Sequence, residues 1–251
     1  MDRPATGGVC GGVDAVLHTS VATFYSNLVT RPTGRAVRVA IEEQLREMTG
    51  TSLSILDFSR VRIIDYSCAD EVIAKLLRRF RSTERPSNVF FVVKGVPENQ
   101  RDTVEHVLRR DNLLLVAVGH GRSALWGAAP ARLRAAWQCL DQLGRTAPEE
   151  FASARGVNLR AASSCLRRLV AQRVALPEGR DAFASLLAVA DRGPVQRTAD
   201  IEVRSLGRAA ELTAPYGEDP TLSKEDRRAR PGGGIDPYLS KPGDLDQLPA
   251  R

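Results

Sequence analysis

Two periodicities share the first half of this chain. Ser54-Ile55-Leu56-Asp57-Phe58 is β-branched and apolar enough for a buried strand, and Val61, Ile63 and Ile64 follow after a two-residue break. Ser67 then precedes Val72, Ile73, Leu76, Leu77 and Phe80, which fall on one helical face. Upstream, a strand is expected within Ala15 to Val29. Pro32-Thr33-Gly34 breaks it, and a helix to about Met48 carries Val37, Ile41 and Leu45 on one side. Downstream, Asn88 to Val93 is a fully apolar strand. Pro97 opens a helix through Val104, Val107 and Leu108, and Leu113 to Val118 is another strand. Strands alternating with helices predict an α/β layer structure. Gly119-His120-Gly121-Arg122 is expected to be a turn.

The pattern changes after Pro130. Leu133, Ala136, Trp137, Leu140 and Leu143 share a helical face that Gly144 ends, and Thr146-Ala147-Pro148-Glu149 has the form of a capping box opening a second helix to Gly156. Asn158 then caps a third helix to about Arg173. Val174-Ala175-Leu176, a turn at Pro177 to Asp181, and Ala182 to Leu186 predict a hairpin. Three helices followed by a hairpin resemble a winged helix over residues 128–190.

The third helix has two faces. Leu159, Ala162, Leu166, Leu169 and Val170 form the apolar one; Arg160, Ser163, Ser164, Arg167, Arg168 and Ala171 form the other. Arginine and serine are residue types that meet phosphates and base edges. In a DNA-binding reading, Arg160, Ser164 and Arg167 face the groove, with Arg168 and the hairpin residue Arg180 near the backbone. A solvated face and a protein-docking face stand beside that reading, because 32 of the 36 basic residues are arginine, which makes arginine alone uninformative.

Residues 191–251 hold 7 Pro and 7 Gly, and only 10 Leu, Ile, Val and Phe among 61 positions, too few to build a core. A mostly disordered tail is expected there. One partner-bound helix over Ile201 to Leu212 and a basic run at Arg227-Arg228-Ala229-Arg230 are its only features. Residues 1–12, rich in glycine, form a flexible start without the Gly-Lys-Ser/Thr ending of a phosphate loop.

Charge narrows the partner classes. The net +6 is unevenly spread: residues 126–190 carry 9 basic and 5 acidic side chains, against 17 and 14 in residues 1–125 and 10 and 11 in residues 191–251. A nucleic-acid partner therefore belongs to the middle segment. The longest apolar run, Leu113 to Val118, falls far short of the about 20 residues of a membrane helix, and Met1-Asp2-Arg3-Pro4 opens no signal peptide. Cys10, Cys68, Cys139 and Cys165 are scattered, and His18, His106 and His120 do not cluster with them. No metal site is expected, and free thiols fit a reducing cytoplasm; Cys139 and Cys165 are expected as small core residues.

Chemistry concentrates at Asp65-Tyr66-Ser67. A hydroxyl at a helix mouth lies among unpaired N–H groups at the positive dipole end, where a phosphate is well placed. Ser67-Cys68-Ala69-Asp70 also fits a capping box, in which Ser67 only satisfies orphan N–H groups; Asp70 and Glu71 favour the dipole but repel a phosphate. Both readings stay open, and Asp65 divides between stabilising the turn and positioning the hydroxyl.

Residues 13–127 resemble the STAS family, the anti-sigma factor antagonists and the cytosolic domains of sulphate transporters. The marks are a strand ending in Asp57-Phe58-Ser59, a short apolar run, then Asp65 and Ser67 opening a helix. Tyr66 stands where the family carries a first serine, and Cys68 and Asp70 where small residues are usual. The resemblance implies a phosphoacceptor at Ser67, a switch loop of Asp57, Asp65 and Tyr66, and a regulatory protein, a kinase or a sigma-controlling factor, as partner. The transporter half is absent, so no membrane contact is implied, and a homodimer stays open.

No nucleophile elbow, metal-ligand pair, dinucleotide fingerprint or Walker loop is present. An aspartyl-phosphate receiver would use Asp57 and Lys94, but it needs an acidic pair after the first strand, and Leu28-Val29-Thr30-Arg31 has none. The expectation is a regulatory protein without enzymatic activity or cofactor. It has a STAS-like mixed sheet with packed helices over 13–127, a winged helix over 128–190 and a tail over 191–251. The leading role is partner switching, with a DNA-binding transcription regulator as the alternative.

Overall fold

The computed structural model describes residues 13–46, 48, 50–81, 88–119, 121–179 and 181–190, with the backbone of 195–197. Strand β1 (Ala15–Ser20) passes through one 3-10 turn, Val21–Thr23, into the two-residue β2 (Asn27–Leu28). Helix α1 (Arg31–Arg46) follows. It starts at Arg31, so Pro32-Thr33-Gly34 opens the helix rather than breaking the chain before it; a proline costs nothing in a first turn whose N–H groups are unpaired anyway. Strand β3 (Ser52–Asp57) leads to β4 (Ile63–Ile64), which pairs with β2 in a separate parallel ribbon.

The expected Ser67 helix is α2 (Tyr66–Ala69), a π-helical turn (Asp70–Lys75) and α3 (Leu76–Arg81). The wider turn buries five successive residues, Asp70 to Ala74, more than one stripe of an α-helix can hide. Strand β5 (Val89–Lys94), α4 (Glu98–Arg110) and β6 (Leu114–Gly119) come next. Strand β7 (Arg122–Gly127), absent from the sequence reading, folds back antiparallel on β6.

Six strands make one mixed sheet. Its order is β1-β3-β5-β6-β7, with β11 (Val195–Arg197) outside β1 and parallel to it. Strands β1, β3, β5 and β6 are parallel and advance in one direction across the sheet. Right-handed crossovers that always advance the same way place α1, the α2–α3 helix and α4 on one face. That face holds Leu17, Leu56, Phe91, Val93 and Leu115 in one cluster with Val37, Ile41, Val72, Ile73, Val104 and Leu108.

The opposite face needs a cover too, since parallel strands are apolar on both sides. Helices α5 (Ala131–Leu143), α6 (Pro148–Arg155), α7 (Leu159–Ala171) and α8 (Leu186–Ala190) follow β7 in the chain. Between them run β8 (Arg145–Thr146), β9 (Ala175–Glu178) and β10 (Ala182–Ser185), a three-stranded antiparallel sheet ordered β8-β10-β9. Trp137, Leu140, Phe151, Leu166, Leu169 and Phe183 form one cluster with Val16, Leu53, Ile55, Phe90, Val92 and Val116 of the large sheet. Residues 131–190 thus share a core with residues 13–127, and the described residues from 13 to 190 belong to one compact unit.

Several local expectations change. Thr146 lies in β8 and Ala147 takes the cap position of α6 without a side-chain bond; the Thr146 hydroxyl donates instead to Glu150 at 3.1 Å. Leu159, placed by periodicity on the apolar face of α7, is exposed, because the helix begins there, beyond the reach of its packing partners. Asn158 does cap α7, accepting from the Ala161 N–H at 2.8 Å. Cys139 and Cys165 are half-buried at the edge of the second cluster. Of the expected tail, Val195–Arg197 pairs with β1; residues 198–251, with the stretches 201–212 and 227–230, lie outside the described residues, as do Arg180, His120 and Cys10.

Candidate functional site

Asp65, not Ser67, caps the helix. The Asp65 backbone is extended, and its Oδ1 accepts from the Cys68 N–H at 2.7 Å. Ser67 is already inside the first turn. Its Oγ–H donates to Asp65 Oδ1 at 2.9 Å, and Asp65 Oδ2 lies 3.2 Å away. The capping-box reading of Ser67 is therefore corrected: the cap begins two residues earlier because Asp65 ends the β4 ladder, its N–H donating to Leu28 O. Ser67 is half-buried and Tyr66 exposed.

Helix α1 presses against this turn at Gly34. A Cβ on Gly34 would lie 2.9 Å from Cys68 Cα, so any other residue would push α1 away. The Cys68 thiol donates to Thr30 O at 2.9 Å. Burial, with the Asp65 carboxylate beside it, pushes the thiol up to about 11, so it is protonated at neutral pH.

Below the mouth, Asp70 and Glu71 are almost fully buried. Arg31 Nη1 reaches Asp70 at 3.0 Å and Glu71 at 3.1 Å; Arg38 and Lys75 also hold Glu71, and Arg110 holds Asp70. Burial alone would raise both carboxyls. The side chains of Arg110 and Arg31 at Asp70, and of Lys75 and Arg38 at Glu71, outweigh it and hold both below the usual carboxylate range. The negative charge that would repel a phosphate on Ser67 is thus locally neutralised. Arg110 also donates to the Tyr66 hydroxyl at 2.7 Å and lies over its ring, while His106 meets Tyr66 edge-on at 5.3 Å.

Asp57 belongs to a different place. It ends β3 in register with Ser20 of β1 and Lys94 of β5, and accepts from the Ser59 N–H at 2.8 Å. Among the described residues no hydrogen bond joins it to Asp65 or Ser67. The residue beside Asp57 on the first strand is Ser20 rather than the 28–31 stretch, so the acidic pair of a receiver is missing from that place too. No group of three or more His, Cys, Asp and Glu among the described residues could hold a metal.

Sequence reasoning missed a surface at the helix mouth. Tyr25, Val29, Ile63 and Tyr66 are exposed, and each lies in the β2–β4 ribbon or within two residues of it. Ribbon register puts Ile63 opposite Asn27, while Leu28 and Ile64 point into the core. The signal was the period of two: in each short strand one apolar residue points inward and the next outward. Arg62, exposed and in no ion pair among the described residues, adjoins Ile63.

On α7 the expected outer face is open. Arg160, Ser164, Arg167 and Arg168 are exposed, and none of these arginines forms an ion pair among the described residues. Val157 and Leu159 are exposed at the start of the same helix. No described helix is long and apolar enough to cross a membrane. No family model, no curated protein and no solved structure matches the chain.

Proposed function

We propose that this chain is a regulatory protein that docks a partner protein at the mouth of α2, in the manner of a STAS-type partner switch, with Ser67 as the modifiable hydroxyl. The observation that carries the reading is the clustering of Tyr25, Val29, Ile63 and Tyr66 around the β2–β4 ribbon, next to Ser67. Exposed apolar side chains gathered beside charged ones are an ordinary form of a protein interface. Two features support the switch. The Ser67 hydroxyl is already hydrogen-bonded to a carboxylate able to take its proton, and the acids one turn on are neutralised by Arg31, Arg38, Lys75 and Arg110. A phosphate added there changes charge by about −2 beside the patch and alters docking. The partner class, a kinase or sigma-controlling factor, rests on the STAS resemblance, and a reducing cytoplasm on the scattered thiols.

Affinity capture from the source cell tests this, with wild-type, Ile63→Asp and Ser67→Asp baits compared side by side. The reading predicts a protein retained by wild type, lost with Ile63→Asp and weakened with Ser67→Asp. Identical retention by all three would overturn it.

A second reading is DNA contact through α7. The order of three helices, hairpin and three-stranded sheet supports a winged helix over 128–190. The unpaired, exposed arginines set this face apart from Arg31, Arg38, Arg101 and Arg110, whose charges are matched by carboxylates. The two readings are compatible: the α2 mouth and α7 belong to layers on opposite faces of the large sheet, so one chain can dock a protein at the first and DNA at the second.

A further inference from the structure

The α4 side of the sheet has a hollow that neither docking reading uses. It measures about 280 Å³ and opens between the first turn of α4 and the β6–β7 hairpin. Its origin is missing side-chain volume. Along this face the sheet carries Phe91, Val93 and Leu115, but the outer positions of β6 and β7 are Ala117, Gly119 and Ala124. Ala117 pairs with Ala124 and Gly119 with Arg122, so the small residues lie side by side. A Cβ placed on Gly119 would meet nothing within 4 Å.

The walls differ in chemistry. Val93, Val96, Ala117, Ala124 and the Trp126 ring make an apolar floor. Glu98, Arg101 and Arg122 stand around it. Arg101 is matched by Glu98 at 3.2 Å and Glu105 at 2.8 Å, and its guanidinium lies 5.5 Å from the Trp126 ring centroid. Arg122 is exposed and forms no ion pair among the described residues. The lining thus carries one cation in excess beside an apolar base, a mixed surface that offers one part to an apolar body and another to an anionic group.

We propose that this hollow binds a small organic monoanion, a carboxylate on an aromatic or branched aliphatic body. The body lies on Val93, Ala117, Ala124 and Trp126, and the carboxylate meets Arg122 at the opening. The volume, just below the about 300–1,000 Å³ typical of small-molecule pockets, suits a ligand body of about the size of benzoate. A bidentate arginine contact selects the carboxylate over a neutral isostere.

The test is a titration of the isotope-labelled full chain with sodium benzoate, followed by proton–nitrogen correlation NMR, with benzamide as the uncharged control. The Trp126 indole N–H and the amides of Ala117 and Ala124 should shift and saturate, while the Trp137 indole stays fixed. Benzamide should bind about tenfold or more weaker, and so should benzoate to Arg122→Gln. Ala124→Leu fills the hollow and should abolish the shifts while the melting transition is kept. Shifts that do not saturate, that centre elsewhere, or that are equal for benzoate, benzamide and Arg122→Gln would overturn the proposal; the exposed Arg122→Gln decides the matter even if Ala124→Leu misfolds.

Discussion

Ser67 donates its hydroxyl to Asp65 at 2.9 Å, and the same Asp65 oxygen accepts the Cys68 N–H at 2.7 Å. One carboxylate therefore both caps the helix and holds the candidate phosphoacceptor. The roles are separable by mutation. Asp65→Ala removes the cap and should cost about 1–2 kcal/mol, within the range of N-cap deletions. Ser67→Ala leaves the cap in place and should cost about 0.5–1 kcal/mol, one partly exposed hydrogen bond. Urea denaturation of both variants checks the order, and a reversed order would contradict the assignment of the cap.

The acids beneath that turn predict a response to pH. Asp70 and Glu71 are held below their usual values by Arg110, Arg31, Lys75 and Arg38 against the opposing effect of burial. A carboxyl depressed in the folded state contributes stability that is fully present above its unfolded value, about 4, and is lost as pH falls through the folded one. Stability should hold from neutral pH down to about 4 and drop below it. Arg110→Gln removes one of the groups that hold Asp70 and should move that drop to higher pH. Circular dichroism at a series of pH values measures both midpoints; unchanged midpoints would contradict the network's role.

The periodic parts of this fold were legible. Continuous apolar runs at 88–93 and 113–118 are β5 and β6, and the helical faces at Val37-Ile41-Leu45 and Val104-Leu108 pack on the sheet. What failed had a physical cause in each case. Strand β7 reads Arg-Ser-Ala-Leu-Trp-Gly; its first half, Arg122-Ser123-Ala124, is polar or small, so it lacks a strand's apolar signature. The capping-box pattern at Ser67 is local, whereas the true helix boundary at Asp65 is set by the pairing of β4 with β2, which lies 36 residues upstream in the register Asn27 to Ile63. Arg31, His106 and Arg110 were missed because only the folded chain brings them to Asp70 and Tyr66.

Strand β11 lies in the stretch expected to be a disordered tail. Val195, Gln196 and Arg197 pair with Val16, Leu17 and His18 at the edge of the large sheet. A chain ending at residue 197 keeps this strand, and one ending at 191 exposes the β1 edge. The shorter chain should be less stable by about 1 kcal/mol or more, from the lost ladder hydrogen bonds. Thermal melting of the two truncations decides this, and equal midpoints would mean that β11 adds nothing.

The α7 face gives a prediction independent of the docking patch. Arg160 and Arg167 are exposed, so Arg160→Ala/Arg167→Ala should leave the fold intact. If α7 reads duplex DNA through about four phosphate contacts, the log–log slope of affinity against salt is roughly −3 to −4. The double variant should reduce both affinity and slope. Fluorescence anisotropy over a salt series measures them, and salt-insensitive binding by the wild type would exclude this face as a DNA reader.

The docking patch itself is tested most directly by the affinity of the captured partner for purified wild-type and Ile63→Asp protein, measured by isothermal titration calorimetry. Ile63 is exposed in the β2–β4 ribbon, so the substitution adds a charge without touching the core. A charge at the centre of an apolar interface should cost about 2 kcal/mol or more, roughly thirtyfold in dissociation constant. The account predicts that loss with an unchanged melting transition. Equal affinity of the two proteins for the partner would contradict it.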